Sequence, residues 1–277
     1  MHKVAILSDI HGNITALKAV LEDATQEEAT DYWILGDLIM LGPSASELID
    51  RLRSLPNTIF VKGNWDDVFL NAQTSDFSDP TNVYGGRLSK YHYERISEDD
   101  LTFIKELPLI ATKEVCGFDF LLCHNLPHKN YGHELWPSAK QENFDLLFTD
   151  HKCDVAVYGH MHRQLMRHSS EGQLIINPGS VYPPTPITNW EKQHLCLKPQ
   201  YAIIEIDNYG VGNINFKRVG YDIEKEVALA KDQNLPYFDF YKDGLETGRS
   251  YTHDKELLKK VNDERGYKEE VIEFFNL

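Results

Sequence analysis

Five short segments of this 277-residue chain place carboxylates, amides and imidazoles side by side. They are Asp9-Ile10-His11, Gly36-Asp37, Gly63-Asn64-Trp65-Asp66, Cys123-His124-Asn125 and Gly159-His160-Met161-His162. Imidazole nitrogens, carboxylate oxygens and an amide oxygen form a donor set suited to Mn, Fe, Zn, Co or Ni rather than to Ca or Mg. Each segment is weak alone. Asp-x-His is ordinarily a loop carboxylate beside a surface or core histidine, and Gly-Asp is a common turn. Gly-Asn-x-Asp also suits a turn, because Asn and Asp tolerate left-handed backbone. His160 and His162 make a stronger pair, since residues i and i+2 of an extended segment share one face. The joint occurrence in chain order is what points to a metal centre.

The segments also share a setting. Each follows an apolar, β-rich run: residues 4–7, 33–35, 58–61, 118–123 and 155–158, with further such runs at 174–176, 201–206 and 214–219. In open α/β sheets, ligands bind outside the carboxyl ends of strands. Between the early runs, residues 13–24 place Ile14, Leu17, Val20, Leu21 and Ala24 at helical spacing behind an N-capping Asn13, and residues 46–55 repeat the pattern until Pro56 ends it. Alternation of strand and helix predicts an α/β protein. Two stretches look added to this core. Residues 73–108 are polar and then helical. The tail, 221–277, carries 14 acidic and 9 basic residues with helical patterning at 223–230 and 255–262. It reads either as a solvated helical appendage or as a cap shaping the substrate entrance. It holds no ligand cluster, and His253 stands alone among charges, so its removal is expected to leave metal binding intact.

With 42% hydrophobic and 26% charged residues the composition is globular. Lys and Arg number 28 against 43 Asp and Glu, a net charge of −15, which disfavours long nucleic acids. An acidic chain that handles phosphate needs added positive charge, most simply from metal ions. No apolar run is long enough to span a membrane, and the start of the chain lacks a signal-peptide pattern. Cys116, Cys123, Cys153 and Cys196 show no metal-type spacing and read as reduced thiols. A cytoplasmic protein with no membrane partner is expected; the oligomeric state is not legible.

The pieces LSDIHGN (7–13), GDLIMLGP (36–43), GNWD (63–66), LLCHN (121–125), GHMH (159–162) and NPGS (177–180) resemble those of the calcineurin-like metallophosphoesterases, in particular the small bacterial and archaeal phosphodiesterase branch. The resemblance covers roughly residues 1–220. It implies an αββα four-layer fold with a small helical insertion and a helical C-terminal appendage. It also implies two adjacent divalent ions, the first held by Asp9, His11 and His162 and the second by Asn64, His124 and His160. Asp37 would bridge them, one carboxylate oxygen to each ion. Two ions about 3.5–4 Å apart clamp both sides of an in-line phosphoryl displacement, with a bridging hydroxide as nucleophile. Mn is the first choice of metal; Fe, Zn, Co and Ni are alternatives.

One departure from the superfamily pattern bears on the reaction. Many of its phosphatases carry a histidine after the Gly-Asn pair that protonates the leaving group; here Trp65 stands there, and indole is no acid near neutral pH. His128 or a metal-bound water is the substitute proton donor, and His128 is otherwise simply an exposed loop residue. Asn64 offers an oxygen to metal and its NH2 to substrate. Asp66 either orients a ligand or a loop amide, or is a turn residue. Asn177 and Ser180 are expected to support the site through hydrogen bonds. Arg87 and Arg163 are candidate phosphate contacts, unless they are paired elsewhere. Trp65, Tyr84, Tyr131, Trp136 and Tyr182 would stack on a base or merely pack. The expected activity is hydrolysis of a small phosphorylated substrate, first a nucleotide anhydride such as diadenosine tetraphosphate. A general phosphodiesterase or phosphatase is the alternative, and a protein-binding scaffold like the retromer subunit of this fold is the rival class.

Overall fold

A computed structural model describes residues 1–186 and 191–276; Leu277, the end of the expected tail, lies outside the described residues. The strands are β1 (His2–Leu7), β2 (Asp31–Ile34), β3 (Thr58–Phe60), β4 (Ile110–Val115), β5 (Phe118–Cys123), β6 (Val155–Tyr158), β7 (Gln164–His168), β8 (Leu174–Pro178), β9 (Gln200–Asp207) and β10 (Gly210–Arg218). They form two five-stranded sheets, ordered β10-β9-β1-β2-β3 and β4-β5-β6-β8-β7. Strands β1, β2 and β3 run parallel, as do β5, β6 and β8. All five chemistry-bearing segments therefore emerge at one edge of the stacked sheets.

Alternation along each strand sorts the core into layers. Val4, Ile6, Trp33, Leu35, Val61 and Ile204 of the first sheet meet Phe120, Leu122, Val155, Val157 and Ile176 of the second. The Trp33 and Phe120 rings lie edge to face at 5.1 Å. Fully burying one such apolar side chain is worth about 1.5–3 kcal/mol, so this seam fixes how the two strand ends face each other. Ala5, Leu7, Tyr32 and Ile34 point the other way, onto α1 (Ile14–Gln26) and α2 (Ser46–Arg53). Helix α1 starts where Asn13 accepts the Ala16 N–H at 2.9 Å, and its periodic residues Ile14, Leu17, Val20, Leu21 and Ala24 are all buried.

The short α3 (Asn64–Leu70) follows β3, and the 73–108 stretch holds α4 (Pro80–Tyr93) and α5 (Glu98–Glu106). The second sheet is covered more thinly, by α6 (Gln141–Asp145) and the loop residues Leu126, Leu135 and Leu147. A single turn, α7 (Glu191–His194), precedes β9. The tail folds into α8 (Ile223–Asp232), α9 (Phe238–Thr247), α10 (Lys255–Arg265) and α11 (Tyr267–Phe275). Its Ala230, Tyr237, Tyr241, Leu245 and Leu258 are buried in the same cluster as α1 and α2. Val271 of α11 packs on Phe77 and Val83, and Asn262 donates to the Pro80 carbonyl at 3.1 Å. The architecture is an αββα sandwich. No helix among the described residues is long and apolar enough to cross a membrane.

Candidate metal centre

The five segments form loops tied to one another before any ligand is considered. Successive amides of the first loop bond across to the second: Asp9 to the Gly36 carbonyl, Ile10 and His11 to that of Asp37, and Gly12 to that of Leu38, at 2.9–3.1 Å. Gly159 N–H donates to the His124 carbonyl at 2.9 Å, and His160 N–H to Asp9 Oδ2 at 3.0 Å, which joins the two sheets at this edge. At the third loop, Gly63 is required because a Cβ there would overlap the Asp37 carboxylate. Asp9, His11, Asp37, His160 and His162 all have positive φ, between 51° and 62°. Non-glycine residues in this region cost on the order of 1–3 kcal/mol each and persist where the surroundings over-determine them. Here those surroundings are the crossed amide bonds.

This backbone gathers two sets of side chains. Asp9, His11 and His162 form one, and Asp37, His124 and His160 the other; within each set the donor atoms lie within 4.8 Å of one another. Asp37 Oδ2 stands between the sets, 3.4 Å from His124 Nε2 and 3.6 Å from His11 Nε2, while its Oδ1 accepts the Trp65 N–H at 2.8 Å. Asn64 Oδ1 lies 3.1 Å from His124 Nε2. His124 Nδ1 is 2.5 Å from the Leu35 carbonyl, and His160 Nε2 is 2.9 Å from that of Gly132. Those carbonyls select the tautomer and leave the opposite ring nitrogen as donor.

The electrostatics match a cation site. Burial would raise the Asp9 carboxyl, but His162, His124 and His11 outweigh it and hold it far below the usual range. Burial would likewise raise Asp37, and His124 pulls it down. Burial lowers His11 to about 4 despite Asp37, and lowers His160 to about 4 with help from the His124 charge. At neutral pH both are neutral and able to ligate. His124 goes the other way: Asp37 overcomes burial and lifts it to about 10. Asp9 Oδ1 is buried facing His162 Nε2 at 3.1 Å, and His11 Nδ1 is buried without a hydrogen-bond partner. A buried carboxylate oxygen with the Nε2 atoms of His162, His124 and His11 at 3.1, 3.8 and 3.9 Å is the mixed oxygen and nitrogen donor set that a divalent transition metal takes. The residues fit a pair of divalent ions.

The remaining expected site residues divide. Asp66 is buried and accepts three backbone N–H bonds, from Asp37, Leu38 and Gly63, at 2.9, 3.0 and 2.8 Å. Burial and the Asp37 charge raise its pKa to about 7 against those donors. Trp65 is half-buried, edge-on to His11 at 6.3 Å and to Tyr84 at 6.2 Å; Tyr84 is buried against Tyr237. Tyr182 lies edge-on to His11 at 5.5 Å. Asn177 donates to the Gly159 carbonyl at 2.7 Å and Ser180 to that of Tyr182 at 2.5 Å. Arg87 faces the tail instead, its Nε 2.9 Å from Glu270 and its guanidinium over the Tyr267 ring. Arg163 is bound to Glu191 at 3.1 Å and to the Thr185 carbonyl at 2.6 Å, and lies over Trp136. His128 is exposed in a turn closed by Leu126 and Lys129, and Tyr131 is 61% exposed. Asn130 escaped the sequence reading: it is buried and grips the Gly63 carbonyl and Asp67. No local pattern marks it, since its partners lie more than sixty residues upstream.

A family model described as the calcineurin-like phosphoesterase superfamily domain matches residues 2–208. The chain belongs to that superfamily, and it is a metal-dependent phosphoesterase. It is 28% identical over 242 residues to an uncharacterised protein of Methanocaldococcus jannaschii, covering 84% of this chain and 93% of that one. The fold superposes on the crystal structure of a hypothetical protein from Pyrococcus horikoshii with a TM-score of 0.71 at 21% identity, covering 88% of this chain and 98% of the other. A shorter match, 39% identical over 62 residues, is to the symmetrical bis(5'-nucleosyl)-tetraphosphatase of Buchnera aphidicola; it spans 22% of this chain and 23% of that enzyme.

Proposed function

We propose that the chain is a two-metal phosphohydrolase for small nucleotides, cleaving a phosphoanhydride such as that of diadenosine tetraphosphate. In this reading Asp9, His11 and His162 hold one ion, Asn64, His124 and His160 the other, and Asp37 both. When bound, the ions supply positive charge to the phosphoryl oxygens and lower the pKa of a water molecule. The chain's own groups do the rest. Asp66 clamps the amides on either side of Asp37, so the bridging carboxylate keeps its place. Asn64 gives its oxygen to the ion and its NH2 to a phosphoryl oxygen.

The observation that carries the reading is Trp65, an indole edge-on to His11 where the superfamily's phosphatases hold an imidazole acid. His128 sits in an exposed turn. Without an acid at that place the leaving group must depart as a stable anion. A phosphate with a second pKa of roughly 6 does so and an alkoxide does not. The short tetraphosphatase match supports the same class. The test is kcat/KM at one Mn2+ concentration for diadenosine tetraphosphate, a serine phosphomonoester and a cyclic nucleotide. The anhydride is expected to win; a tenfold advantage for the serine ester, about 1.4 kcal/mol, would overturn the inference from Trp65.

A phosphodiester is the second reading, favoured by the arginines. Arg87 and Arg163 are both neutralised, by Glu270 and Glu191, and a singly charged diester needs fewer cations than a polyphosphate. Faster turnover of the cyclic nucleotide than of the anhydride would select it.

A further inference from the structure

The tail reaches the segment that carries Asp9 and His11. Glu226 of α8 is fully buried, and its Oε2 accepts the N–H of Thr15 at 3.1 Å in the first turn of α1. The first N–H groups of a helix have no intrahelical partner, and Glu226 supplies the acceptor for the one at Thr15. Glu226 Oε1 accepts the Tyr241 hydroxyl at 2.9 Å. The Tyr241 ring stacks on Tyr182 at 6.0 Å, and Tyr182 lies edge-on to His11. From the other side, Asn13 donates to the Tyr221 hydroxyl at 3.1 Å. The tail thus holds residues 13 and 15 directly and backs His11 through Tyr182, at the end of a stretch whose Asp9 and His11 have left-handed backbone.

We propose that Glu226 and Tyr241 are positioning residues for the Asp9–His11–His162 subsite, and that the C-terminal helices are a working part of the metal centre. This rests on the two-metal reading and reverses the expectation that the tail is dispensable for metal binding. The asymmetry follows from the contacts. His124 and His160 are held by carbonyls of the core, at Leu35 and Gly132. The buried His11 Nδ1 has no hydrogen-bond partner, so His11 is placed by its backbone and by the rings around it.

The test is a Mn2+ titration of metal-free, full-length protein by calorimetry, with circular dichroism and thermal melting as folding controls. Wild type should bind two ions in two phases. Glu226→Ala should raise Kd of the weaker phase by about tenfold, the low end for loss of a group that orients a ligand, and leave the tighter phase unchanged. Glu226→Gln should restore it, because its amide oxygen can accept the Thr15 N–H and its NH2 can donate to the Tyr241 oxygen. Wild-type values for both phases in folded Glu226→Ala would overturn the proposal, and so would equal weakening of both or failure of Glu226→Gln to rescue. If Glu226→Ala does not fold, Tyr241→Phe decides: a selective loss in the weaker phase supports the proposal, and unchanged or uniformly weakened binding overturns it. Wild type binding no Mn2+ would instead refute the two-metal reading beneath it.

Discussion

His124 and His160 each give one ring nitrogen to a main-chain carbonyl, whereas His11 keeps a buried Nδ1 with no hydrogen-bond partner. The two subsites are therefore built to different standards of rigidity. The Asp37–His124–His160 set is assembled by the sheets themselves, since its carbonyl anchors sit at Leu35, just beyond β2, and at Gly132, in the loop after β5. Left-handed backbone occurs in both sets, but the Asp9–His11–His162 set leans in addition on the rings of Trp65 and Tyr182 and on the tail behind them. A pre-organised subsite loses less conformational freedom on filling, so it should fill first.

The largest expected effect tests what the sets share. Asp37→Ala should lower kcat by at least about a hundredfold, about 2.7 kcal/mol of barrier, and by more than any ligand of a single set at saturating metal. Near wild-type turnover would remove Asp37 from its place between them. Next, His124→Ala should abolish the tighter phase of Mn2+ binding and His162→Ala the weaker, each a loss of about 10–100-fold or more in affinity. If both variants weaken the same phase, the subsites are not separable. Asp66→Asn keeps one acceptor where three amides converge, and should destabilise the fold by about 1–3 kcal/mol, read as a lower Tm.

The smallest effect is protonic. In metal-free protein His124, lifted to about 10 by Asp37, is charged at neutral pH, while His11 and His160, near 4, are not. Filling the second subsite at pH 7 should release about one proton, measurable by calorimetry in buffers of different ionisation enthalpy. Because the folded pKa of His124 lies above its unfolded value, its contribution to the metal-free fold is complete below about 6.5 and is lost as pH rises through 10. The metal-free Tm should fall across that window. No proton release would mean that His124 is already neutral.

Much of the sheet and its strand-end loops was legible, because parallel inner strands are largely apolar runs such as residues 118–123, broken by Asp119, and 155–158. Edge strands β4 and β7 were not: Lys113, Glu114 and His168 face solvent and leave no such run. Helices α9 and α11 were missed as well, since their aromatic-rich stretches lack the clear helical spacing seen at α8 and α10. The pairing of Arg87 with Glu270 could not be read either, as the partners stand 183 residues apart and meet only when α11 lies on α4. The residue types of the two candidate sets were visible in sequence, but not the left-handed turns that aim them, because Asp and His are common in ordinary backbone too.

Those turns bear on how the centre can change over evolutionary time. Five positions must supply both a donor atom and a conformation that few side chains tolerate. Exchanging one donor type for another there has to satisfy two unrelated demands in a single step. Asn64, at the start of a helix, and His124, after β5, are outside the left-handed group. A lineage retuning its metal preference without rebuilding its loops would have those two places to do it.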